Sequence, residues 1–196
     1  VDQGEYVSPG TPVAEIVDVP DDTYYDTTRQ WGWFQINTED AWDVTHSNPE
    51  IRIAILDTGI DSDHPDLDDK IVAAKDFTGS GTPEPYSNSH GTHVAGIAAA
   101  ETDNATGIAG IAWDASLMNA KCMSDGGSGY HSWIANGIIW AVDNGADVIN
   151  MSLGGSGGSY ALEQAVDYAW ENGVVVVAAA GNSGSTSQFY PAAYAH

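Results

Sequence analysis

Four runs of almost unbroken apolar residues limit how this chain can fold. They are IRIAILD at residues 51–57, SLMNAKC at 116–122, DVINMS at 147–152 and VVVVAAA at 174–180. Strands this apolar need cover on both faces, which a parallel sheet under two layers of helices provides. The segments between them fit that requirement. Residues 132–144 carry Ile134, Ile138, Ala141 and Val142 at helical spacing, with Ser132 as the expected cap and Gly145 as the stop. Ser159–Asn172 repeats the pattern with Leu162, Ala165, Val166 and Ala169 on one face and Gly173 behind it. The alternation predicts an α/β fold in three layers, a mostly parallel sheet with helices on both faces. At 196 residues and 42% hydrophobic, the chain can bury one substantial core.

The rest of the chain sorts around this frame. Residues 1–19 are polar and proline-rich and read as an extended arm, leaving 20–196 as one domain. Thr38 is placed to cap a short helix over Glu39 to Trp42. Residues 75–89 read as a Gly/Pro/Ser loop. It gives way to NSHGTHVAG at 88–96 and a helix of small residues that can lie close to its neighbours. The single Cys122 excludes an internal disulfide and, inside an apolar strand, reads as a buried inert thiol. No signal peptide opens the chain and no apolar run reaches membrane-spanning length.

Charge narrows the partners. Lys plus Arg number 5 against 28 Asp plus Glu, a net charge of -23. Such a surface repels nucleic acid and anionic membranes. It fits adaptation to high salt, cation binding or a merely acidic exterior. The even spread of carboxylates along the chain favours the first.

In a parallel sheet, ligands gather at the carboxyl ends of the strands. Asp57, Ser152 and Asn182 fall there, and His90 starts the helix that follows the loop. Each has an ordinary reading: a strand-end cap, a satisfied histidine, a turn asparagine. Together they suit acyl transfer. An ionised Asp fixes the imidazole tautomer, the imidazole deprotonates a nucleophile, and an Asn amide donates to the developing oxyanion.

The wording around these residues is specific. AILDTGIDSDHPDL around Asp57, NSHGTHVAG around His90, VINMSLGG at 148–155 and VVVAAAGN ending at Asn182 resemble, in order, the subtilisin-like serine protease family. RQWG near residue 30 is similar to the thermitase branch, and the acidity suggests a halolysin-like secreted protease. The resemblance implies a subtilisin-like fold and a serine endopeptidase acting on protein or peptide substrates through an Asp-His-Ser triad. It assigns Asp57 as orienting carboxylate, His90 rather than His93 as base, and Asn182 as oxyanion donor. Loss of such a donor costs a member of this family roughly 10² to 10³ in rate. Ser152, Leu153 and Gly154 would wall the pocket before the cut, and Gly127, Ser128 and Gly129 would pair with substrate backbone. His131, Ile134 and Leu153 would shape a more distant pocket, with His131 standing where the family commonly has an aromatic.

A structural calcium ion is also implied. Asp22 and Asp66 would give carboxylates, Asn104 its side chain, and Glu101, Thr106 and Ile108 backbone oxygens, an all-oxygen shell. The family's second, thermitase-like site would meet Gly79 and Gly81 here, so it is not expected. The family's Gly-Thr-Ser nucleophile phrase is absent from the 196 residues. The expectation is therefore a C-terminally truncated catalytic domain, inactive alone, missing its partner half and monomeric when complete. The alternative is a non-catalytic fragment or pseudo-protease that binds peptide and calcium.

Overall fold

The computed structural model describes residues 19–194. Two short helices, α1 (Trp31–Gln35) and α2 (Thr38–Trp42), precede β1 (Arg52–Asp57) and β2 (Ile71–Asp76). Then α3 (His90–Ala99), β3 (Ser116–Lys121), α4 (His131–Asp143), β4 (Val148–Met151), α5 (Tyr160–Glu171) and β5 (Val175–Ala178) alternate. The strands form one sheet in the order β2-β3-β1-β4-β5, every pairing parallel. The expected α/β architecture is present, with β1 at its centre.

Two cores hold it. One face of the sheet contributes Ala54, Leu56, Met118, Ala120, Ile149 and Met151, packed under Ile134, Ile138 and Ala141 of α4 and Leu162, Ala165, Val166 and Ala169 of α5. The other contributes Ile55 and Leu117, packed under Ala95 and Ala99 of α3 with Ile60 and Leu67. The small residues of α3 serve close approach. A Cβ at Gly91 would stand 2.4 Å from the carbonyl oxygen of Gly59, so the first turn of α3 sits directly on the chain leaving β1.

Several local expectations change. Residues 71–76 form a strand that no apolar run announced. It is an edge strand with an alternating burial pattern and ends in Lys75-Asp76, at the start of the expected loop. Thr38 is the first residue of α2 rather than its cap: Asn37, at φ 54°, holds the cap position, and the buried Thr38 hydroxyl has no partner among the described residues. Ser132 is likewise inside the first turn of α4, which starts at His131 behind the extended Tyr130. The apolar run 174–180 yields only four residues of strand, at the other sheet edge, with Val175 55% and Val177 48% exposed. Cover on both faces therefore holds for β3 and for β1 from Ala54 onward, while on the α3 side Ile53, β4 and β5 border an uncharged groove lined also by Val94, Ile97, Val148, Asn150, Ser152 and Val177. The expected arm at 1–19 lies outside the described residues except for Val19.

Candidate active site

Asp57 terminates the central strand, at the carboxyl edge of the sheet, and is completely buried. α3 begins at His90, which brings its imidazole over that same edge. Nδ1 of His90 lies 2.7 Å from Oδ1 of Asp57, the carboxylate side chain 1% exposed and the imidazole 48%. A carboxylate accepts only, so the proton of this bond belongs to Nδ1, which in the neutral ring leaves the lone pair on Nε2.

The neighbours of the pair are tied to one another. Thr58 N donates to Asp57 Oδ1 at 2.7 Å. The Thr58 hydroxyl donates to the carbonyl of Asn88 and accepts from Gly91 N, both at 3.0 Å. His90 N donates to Asn88 Oδ1 at 3.1 Å. Asp57 Oδ2 is buried and has no partner among the described residues. A desolvated acceptor beside an exposed imidazole is an arrangement suited to stabilising imidazolium as it forms. No hydroxyl hydrogen-bonds His90 Nε2 among the described residues.

His93, one turn further on, serves another space. It lines a cleft of about 580 Å³ with Tyr24, His64, Leu67, Tyr86 and Ile108, in which neither Asp57 nor His90 takes part. Asn182 lies exposed beyond the end of β5, two strands from β1, its side chain unbonded among the described residues.

The residues expected to meet substrate divide between two surfaces. Gly127, Ser128, Gly129, His131, Ile134, Leu153 and Gly154 line one cleft of about 230 Å³. Ser152 instead borders the groove on the α3 face, its hydroxyl accepting from Asn150 Nδ2 at 3.0 Å. Met123, Gly155, Leu162, Tyr190 and Pro191 complete the cleft and were not expected there. Leu162 was assigned only to a helix face. Tyr190 arrives through an antiparallel bridge, exchanging backbone hydrogen bonds of 2.9 and 2.8 Å with Gly155. Gly154 admits this approach because a Cβ there would stand 2.3 Å from the Phe189 ring. Cys122 is buried behind the site, its thiol pushed up by burial first and by the charge of Asp57 second.

A second polar constellation lies at the loop of residues 101–108. Asp22 and Asp66 are 5% and 2% exposed. Asp66 Oδ1 accepts from Asn104 Nδ2 at 3.2 Å and its Oδ2 from Ile108 N at 2.9 Å. Asp22 Oδ2 accepts from Asp103 N at 2.8 Å, while its Oδ1 is buried without a partner among the described residues. Burial, and to a lesser extent the charge of Asp66, raises Asp22 above the usual carboxylate range. The carbonyls of Asn104, Ala105 and Gly107 accept hydrogen bonds from Thr106, Thr23 and Tyr24. Those of Glu101, Thr106 and Ile108 accept none among the described residues. Among the described residues no three His, Cys, Asp or Glu side chains converge as a metal cluster. Asp76, by contrast, is satisfied by Thr78, Ser80 and Gly81, bonds that together outweigh burial and hold it below its usual range.

Comparison with known proteins identifies the family. The sequence model described as the subtilase family matches residues 48–196. Thermitase of Thermoactinomyces vulgaris is 49% identical over 177 residues, which is 90% of this chain and 63% of thermitase. A thermophilic serine proteinase of Bacillus sp. (strain AK1) is 51% identical over 175 residues, covering 89% of this chain and 43% of that protein. Subtilisin E of Bacillus subtilis (strain 168) is 47% identical over 176 residues, covering 87% and 45%. The chain thus spans about half the length of the relatives it matches.

Proposed function

The chain belongs to the subtilase family, and from that premise we propose that it forms part of a serine endopeptidase and supplies the base and its orienting carboxylate. The observation that carries this reading is the 2.7 Å contact between His90 Nδ1 and the buried Asp57. Asp57 holds the Nδ1 proton in place. His90 Nε2 takes the proton of a serine hydroxyl as that oxygen attacks the substrate carbonyl, and the imidazolium returns the proton to the departing amine. Asn182 is the side-chain donor to the oxyanion. Gly127 to Gly129 bind substrate as an added strand, and the cleft with His131, Ile134, Leu153 and Gly154 takes a side chain upstream of the cut.

The loop of residues 101–108 would hold a structural calcium ion. The fit rests on the orphaned Asp22 oxygen, the buried Asp66 and the three unused carbonyls of Glu101, Thr106 and Ile108, joined by Asn104. When bound, the ion would neutralise the two carboxylates and tie the entry strand at Asp22 to the loop. The substrate class is protein or peptide, and the setting extracellular and salt-rich. No described helix is long and apolar enough to cross a membrane.

The 196-residue polypeptide by itself is expected not to react with a fluorophosphonate. Joined to a segment carrying the family's Gly-Thr-Ser phrase it is expected to become labelled, and His90→Ala should abolish that labelling. Stoichiometric labelling of a serine within residues 1–196 would sink the assignment, and so would labelling of the fusion that survives His90→Ala. A second reading, peptide binding without hydrolysis, draws on the lack of any hydroxyl at His90 Nε2 among the described residues. A fusion that binds peptide yet stays unlabelled would support it.

A further inference from the structure

Lys121 is 1% exposed, the innermost of the five cations in a chain with 28 acidic residues. Its Cα pairs in register with that of Asp57 across β3 and β1. The ammonium does not end at a surface carboxylate. It donates to the carbonyl of Thr58 at 2.7 Å and to that of Glu84 at 3.1 Å, with Asp125 Oδ2 at 3.5 Å. Asp125 in turn accepts from Tyr86 N at 2.6 Å and Ser87 N at 3.1 Å, and its carbonyl accepts from Asn88 Nδ2 at 3.2 Å. Every one of these bonds falls on the residues flanking the catalytic pair. Thr58 follows Asp57; residues 84–88 deliver His90.

Further out, the flanks meet through Ser62 and Glu84 at 2.9 and 2.7 Å and through Asn119 Nδ2, which donates to Ile60 O and Pro83 O; beside the pair they meet at Thr58. Thr58 bridges Asn88 O and Gly91 N through its hydroxyl, and Lys121 fixes the Thr58 carbonyl on the other side of the same peptide turn. Removing an ammonium from water is costly, and an apolar side chain of similar length would fill the space without that cost. The charge is explained by what it holds. Carbonyls of two separate loops need a donor with several protons on a long arm, which a lysine has and an apolar residue lacks.

We infer that Lys121, anchored by Asp125, is a positioning residue that locks the Asp57–Thr58 turn against residues 84–88 and so sets the His90–Asp57 hydrogen bond. The inference rests on the reading of His90 as base and deepens it. Neither residue touches substrate; both act through the backbone on either side of the pair.

The test is the tautomer of His90 in the 196-residue chain with ¹⁵N-labelled imidazoles, read by long-range proton–nitrogen correlation at a pH where the ring is neutral. The unmodified chain is expected to hold the proton on Nδ1. Lys121→Met should shift the population severalfold toward Nε2–H, and Asp125→Ala should shift it the same way by less. Lys70→Met serves as control, removing a partly buried lysine that donates to Trp113 O at 2.6 Å away from the site; it should leave the tautomer unchanged. A folded Lys121→Met with an unaltered population overturns the inference. If that variant does not fold, an unaltered Asp125→Ala overturns it instead. An equal shift in Lys70→Met would also overturn it, by reducing the effect to general loosening. An unmodified chain without Nδ1–H preference would defeat the Asp57–His90 reading itself.

Discussion

Gly91 lies against Gly59 so closely that a methyl group on Gly91 would stand 2.4 Å from the Gly59 carbonyl oxygen and 3.1 Å from Cβ of Asp57. The residue after the base is therefore the contact that sets how near α3 comes to the end of β1. Gly91→Ala is expected to lower stability by about 1–3 kcal/mol, the usual range for overpacking a tight core. It should also lengthen the His90–Asp57 hydrogen bond, because backbone is what the methyl group meets. Urea unfolding together with the His90 tautomer measures both. Unchanged stability would mean that the helix can slide, and that this contact does not set the approach.

Asp57→Asn separates geometry from charge. The amide is nearly isosteric, so the fold should survive, but an amide that presents N–H to Nδ1 favours the wrong imidazole tautomer. In the fusion carrying a nucleophile segment, hydrolysis is expected to fall by about 10⁴ at neutral pH. Substrate KM should change little. A loss of less than tenfold would remove the carboxylate from the mechanism.

Calcium is expected to stabilise the chain through residues 22, 66 and 101–108. At a hundredfold excess over Kd the gain is about 2.7 kcal/mol, visible as a higher melting temperature that Asp22→Asn reduces. The pH dependence follows from Asp22. Its folded pKa is raised above the unfolded value of 3.8, so without metal its contribution to stability falls as pH rises through the interval just above 3.8. Calcium needs the ionised form, so the metal's stabilising effect should shrink as pH falls into that interval. Melting scans with calcium or with chelator, at several pH values, test both slopes. No shift at millimolar calcium would count against the site.

Salt should matter more than for an ordinary domain. A net charge of -23 on 196 residues opposes compaction by self-repulsion. Raising sodium chloride from about 0.01 M to 1 M shortens the Debye length from about 30 Å to about 3 Å. The melting temperature is expected to climb across that range, including the part above 0.15 M. A flat profile would mark the acidity as incidental.

Much of this was legible in the residues themselves, for identifiable reasons. Central strands of a parallel sheet must be apolar throughout, so β1, β3 and β4 announced themselves, and their ends located Asp57. β2 stayed hidden because an edge strand is free to alternate and to carry Lys75 and Asp76. The caps failed because Asn37 and Tyr130 end their turns by backbone conformation, with no side-chain hydrogen bond for a motif to reveal. Tyr190 and Pro191 enter the cleft beside His131 and Leu153 by a bridge that forms only in three dimensions. Lys121 was the least visible. Within SLMNAKC it reads as a polar interruption of a strand, and only the two carbonyls converging on its ammonium show why a cation belongs there.

Withdrawing Lys121 from solvent leaves four other cations to face an exterior that stays strongly anionic even with Asp22, Asp57 and Asp66 buried. The protein must therefore carry a dense cloud of mobile counterions wherever it goes. That cloud enriches divalent metal at the surface relative to bulk, in proportion to the square of the local Boltzmann factor for a single charge. If the loop at Asp22 and Asp66 takes up calcium as proposed, it would be fed by the whole molecule's ion atmosphere, and diluting the surrounding salt would tilt the competition there in favour of the doubly charged species.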